Sequence, residues 1–159
     1  MHARRLVLTS LFLALAPVAA FAADSPAPPP APRAAPDPLA AAREHIKAKR
    51  WAPAMGELQK LNAGDSADWN NLMGYVLRKQ ATPDLDGAQR HYDAALRINP
   101  RHIGALEYSG ELALMRGNLP VAEERLAMLG RVCSSGCEEQ DDLKQGIAKY
   151  KANGNRYVP

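Results

Sequence analysis

Residues that carry reaction chemistry are scarce in this chain. It has two cysteines and four histidines among 159 residues, and only two phenylalanines. His45, His91 and His102, the histidines beyond the extreme N-terminus, show no metal-ligand spacing. A zinc centre asks for about four ligands, which this pattern does not supply. No glycine-rich phosphate loop and no Gly-x-Ser-x-Gly elbow is present. The sequence therefore offers no catalytic residue, no cofactor site and no metal site, and an enzyme is not expected. Charge of one sign is lacking as well. The formal net charge is +3, and Arg4 and Arg5 in the N-terminal leader supply two of those charges. Without the leader it falls to +1, too near neutral to argue for nucleic acid or an anionic membrane surface.

The leader, residues 1–22, has the layout of a cleaved signal peptide. "MHARR" is a basic start, "LVLTSLFLALAPVAAFA" is an apolar stretch, and Ala20-Phe21-Ala22 is an A-x-A cleavage site. The apolar stretch is short for a membrane span and Pro17 interrupts it. No cysteine lies near the cut, so a lipoprotein anchor is excluded. The expected product is a soluble protein in an exported, periplasmic compartment. A scaffold tethered by a retained leader is the alternative. Residues 23–38 form a Pro-rich linker. "SPAPPPAPRAAPDP" places seven prolines in fourteen residues, which excludes helix and strand and favours an extended spacer of about 40 Å.

What is abundant is a repeat. Ala54, Ala88 and Ala122 are 34 residues apart, as are Trp51, Leu85 and Leu119. Leu58, Tyr92 and Leu126 keep the same period, and so do Leu61, Ala95 and Leu129. Within each segment these offsets trace one face of an α-helix. A second helix precedes each: "WNNLMGYVLRKQ" and "ALEYSGELALMRG" carry Gly74 and Gly110, with the weaker "AAAREHIKAKR" before them. A small residue there allows close approach of a neighbouring helix. Gly117 suits a turn, and Pro53 and Pro120 fall in first turns, where a missing N–H costs little.

A 34-residue helix–turn–helix with these signatures resembles the tetratricopeptide repeat family. The middle unit carries the likeness best, with Gly74, Ala88, Tyr92, Ala95 and Pro100 at the family's small, aromatic and proline positions. The resemblance implies an all-α, right-handed solenoid of about three hairpins over residues 39–65, 66–100 and 101–134. A capping helix over about 136–152 would close the stack: Leu143, Ile147 and Tyr150 lie on one face, and Ser135 and Glu138 have capping-box spacing. The repeat domain thus spans 39–152, and a loose tail is expected over 153–159.

The resemblance also implies a function. Members of the family hold peptides or partner helices on the concave face, lined by the first helix of each hairpin. Here that face would include Arg43, Asn71, Tyr75, Arg78, Glu107, Glu111 and Met115. The expected role is a non-catalytic protein–protein interaction module, an adaptor or assembly scaffold, with a protein or peptide partner. Glu107 and Glu111 are like charges one turn apart, which suits a basic partner, unless solvent or Arg78 neutralises them.

Cys133 and Cys137 stand in "RVCSSGCEE". Haem attachment needs a histidine after the second cysteine, and Glu138 is there instead. An oxidising exported compartment favours a structural disulfide tying the last repeat to the cap helix. A thiol-dependent redox role for the pair is the alternative.

Overall fold

A computed structural model describes residues 36–157. The leader and nearly all of the Pro-rich linker lie outside the described residues, as do residues 158–159. Among the described residues there are seven helices and no strand: α1 Ala40–Lys47, α2 Trp51–Leu61, α3 Ala67–Lys79, α4 Leu85–Ile98, α5 Ile103–Met115, α6 Leu119–Val132 and α7 Glu138–Ala152. No helix among them is long and apolar enough to cross a membrane.

Several helices begin where a side chain satisfies the exposed N–H groups of the first turn. Ser66 accepts from the Trp69 N–H at 3.2 Å, Asp84 from Gly87 at 2.8 Å, and Asn118 from Val121 at 3.3 Å. His102 does the same for Ala105 through Nδ1 at 3.0 Å. The anticipated capping box at α7 does not form. Cys137 takes the cap position with extended backbone and no side-chain bond, which leaves Ser135 outside the helix. Acids in the first turn of α7 (Glu138, Glu139, Asp141) and Lys149 and Lys151 in the last complement its dipole instead.

Successive helices pack on each other in order, α1 on α2 through α6 on α7. Two further pairings matter for function: α3 touches α5, and α7 packs on α5. The periodic positions are the reason. Ala54, Ala88 and Ala122 are all fully buried, as are Leu58, Tyr92, Ala95 and Leu129. Leu126 is only half-buried. Leu61 departs from its column, being 38% exposed. It is the last residue of α2, and the chain turns away at Asn62 with positive φ, so nothing covers it.

Two glycines set the closest helix contacts. A Cβ on Gly74 would stand 2.7 Å from the Tyr92 ring, and one on Gly110 would stand 2.6 Å from Leu143. Both distances are below ordinary carbon contact, so a side chain at either site would force its neighbour to shift. The Gly110 contact seats α7, whose Leu143, Ile147 and Tyr150 join the core cluster shared by α5 and α6. The sulfurs of Cys133 and Cys137 lie at bonding distance, with Cα atoms 5.7 Å apart, and link the end of α6 to the start of α7. The segment after α7 stays close to the body: the Asn155 N–H donates to the Tyr150 carbonyl, and half-buried Tyr157 packs against the same cluster.

Candidate binding groove

Helix α3 places Asn71, Tyr75 and Arg78 on one face at i, i+4 and i+7. Helix α5 brings Glu107, Tyr108, Glu111 and Met115 beside them. The Tyr75 and Tyr108 rings meet with centroids 4.7 Å apart, and Trp51 closes on Tyr75 edge-on at 6.0 Å. The result is an aromatic strip across three helices.

Arg78 sits under that strip. Its side chain is 1% exposed, yet it carries a full charge. Its guanidinium carbon lies 5.6 Å from the Tyr75 centroid and 5.5 Å from that of Tyr108, both within cation–π range. Nη2 stands 2.5 Å from Glu111 Oε2. That ion pair holds Nη2, while Nε has no hydrogen-bond partner among the described residues. Nη1 reaches only the Met115 sulfur, at 4.0 Å. The Tyr92 hydroxyl is likewise buried without a hydrogen-bond partner. Burial pushes its pKa well above the usual tyrosine value, so it stays neutral beside the guanidinium.

Glu107 is 7% exposed. Burial first, then the charges of Glu111, Asp142 and Glu139, push its carboxyl up to about 8, against the opposing pull of Arg78. At neutral pH it is therefore mostly protonated. Tyr108 is pushed up by burial and by Glu107 beside it. Asn71 is buried with its Oδ1 unpartnered, and its Nδ2 comes within 3.0 Å of where a Gly104 side chain would begin.

Not all the expected groove residues join this cluster. Tyr75, Glu111 and Met115 each meet Arg78. Arg43 stands apart. It is exposed and paired with Asp37 at 3.3 Å and Asp68 at 3.6 Å. Asp68 in turn accepts from His102 Nε2 at 2.9 Å, which makes a separate polar network at the starts of α3 and α5.

Sequence reasoning missed four contributors: Tyr108, Asp142, Lys149 and Tyr157. Beside Glu111, the last three line a cleft of about 220 Å³, with Gln145, Gly146 and Tyr150. Tyr108 had a signal, since it follows Tyr75 by 33 residues, almost the repeat period. Tyr157 had none, because its contact is made by the chain folding back.

No family model matches this chain, and neither curated proteins nor solved structures provide a match.

Proposed function

We propose that the chain is a non-catalytic binding module built from tetratricopeptide-like hairpins, an adaptor or assembly scaffold of the periplasm. A protein or peptide segment would lie along α3 and α5. One observation carries the reading: two paired tyrosines on neighbouring helices, seated over a buried guanidinium that one carboxylate holds in place, form a rigid contact strip. The aromatic strip adds amphipathic contact area of the kind that concentrates binding energy at interfaces. The repeat reading rests on the four 34-residue columns and on the burial of the alanine column.

The test is site-specific photocrosslinking in intact cells, with the crosslinker placed at Tyr75 and, separately, at Tyr108. A reproducible partner captured from both positions is expected. Capture only from α2, α4 or α6 overturns the groove.

A further inference from the structure

We propose that the tail after α7, Asn153 to Tyr157, is a strap across the α5–α7 end of the groove, and that a partner segment lying along α3 and α5 displaces Tyr157 in order to extend onto α7. The inference rests on the groove reading above and adds the regulation of that site.

The end of α7 is a built turn. Gly154 and Asn155 both have positive φ, 67° and 61°. Glycine takes that conformation freely, and asparagine more readily than most residues. The Asn155 N–H donates to the Tyr150 carbonyl at 3.0 Å, and the Gly154 N–H donates to the Lys151 carbonyl at 3.2 Å. The two bonds form a Schellman motif, which ends the helix. Past it the chain does not leave the body, because Tyr157 packs against the core cluster that contains Leu143, Ile147 and Tyr150.

The tail lands where the groove continues. Helix α5 packs against α3 and also against α7, so a segment that crosses α3 and α5 meets α7 next. The cleft of about 220 Å³ at that point has Glu111 of α5, five residues of α7 and Tyr157 as its walls. Tyr157 is the one wall that belongs to no helix. Glu111 is also the residue that holds Arg78 beneath the tyrosines, so the cleft and the aromatic strip are continuous. With Tyr157 in place the open space is smaller than the 300–1,000 Å³ typical of ligand sites, and withdrawing the ring enlarges it.

Little holds the tail there. Asn153 through Arg156 are exposed, and Tyr157 is half-buried. Helix α7, by contrast, is anchored by three buried side chains. The tail is therefore the wall that moves at least cost. A strap closed in about nine molecules of ten lowers the apparent affinity of the groove about tenfold, and freeing it restores that factor.

The experiment uses the full-length protein and two variants. Tyr157→Ala removes the ring. Gly154→Val meets no neighbouring atom but strains the left-handed turn, so it misdirects the tail without touching the cleft. Fluorine NMR of protein carrying 3-fluorotyrosine reads the strap. In Gly154→Val the Tyr157 resonance should move to its position in the free peptide Asn153–Pro159, and Tyr150 should shift in both variants. A Tyr157 resonance already at the free-peptide position in the unaltered protein overturns the proposal. Photocrosslinking in intact cells, from Tyr75, Tyr108 and the exposed Gln145 of α7, reads the partner. Capture from all three positions should rise about three- to tenfold in both variants, with the same species captured at each. Unchanged or reduced capture in both variants overturns the strap while the groove reading stands. So does a loss of helix content in both by circular dichroism, which would make the tail part of the core. Absence of capture from Tyr75 and Tyr108 in all three proteins overturns the groove reading itself, and the strap with it.

Discussion

The two ends of the groove hold the same kinds of charge in opposite settings. At one end, Arg43, Asp68 and His102 bridge α1, α3 and α5 in the open, with Asp68 60% exposed. At the other, Arg78 and Glu111 bridge α3 and α5 around a guanidinium that solvent scarcely reaches. The open network can rearrange at little cost, because water screens each charge. The buried pair cannot, because solvent scarcely reaches Arg78 and, among the described residues, Glu111 is the anion that meets its charge. Similar salt bridges at opposite ends of α3 thus differ in kind: one lies in water, and the other is withdrawn from it.

The sharpest way to break this comparison is Arg78→Ala. Removing one partner of a buried pair typically costs about 3–5 kcal/mol. We expect the lower half of that range, since Glu111 reaches solvent. Urea denaturation measures it. Ala88→Leu disturbs the floor of the same end, where Ala88 and Tyr92 share a fully buried cluster. Overpacking should lower stability by about 1–3 kcal/mol, visible as a reduced melting temperature. An unchanged melting curve would contradict the packing described here.

Glu107 sharpens the contrast through pH. Its folded pKa is raised to about 8 from an ordinary 4.5, so the folded state holds the proton more tightly than the unfolded chain. Stability from this group is full below pH 4.5 and declines as pH rises toward 8. With its partial solvent contact discounted, the decline should be of order 2 kcal/mol. Glu107→Gln should flatten that part of the profile in denaturation measured across pH 5–9. At the open end, Arg43→Ala should change stability by less than about 1 kcal/mol, and added salt should erase even that.

Much of the fold was legible because helix packing imposes a spacing that sequence must obey. The alanine column marks where helices touch, and Gly74 and Gly110 mark where a ring or a leucine enters. For the acid pair the sequence left a basic partner, solvent or Arg78 open, and the structure pairs Arg78 with Glu111. What was illegible depended on contacts across the chain. Leu61 fits its column, but periodicity does not say which helix end is covered. Ser135 and Glu138 have the spacing of a capping box, but α7 starts at Glu138 with Cys137 in the cap position, so Ser135 lies outside it. Tyr108 sits beside Glu107 in a stretch that reads as core, so its place over Arg78 emerged only once α3 and α5 were side by side. Tyr157 joins the cleft because the tail turns back, which no local pattern encodes.

Gly110 has a mechanical meaning for that cleft. With hydrogen in place of a side chain, it lets Leu143 settle against α5, and so fixes how deep α7 can sit. The acids on the two helices are held apart by that depth, as jaws are by the pin of a hinge. An alanine there would stand 2.6 Å from a Leu143 methyl carbon, so that side chain would have to move to make room. The fit of α7 against α5 is therefore written in an atom the chain leaves out.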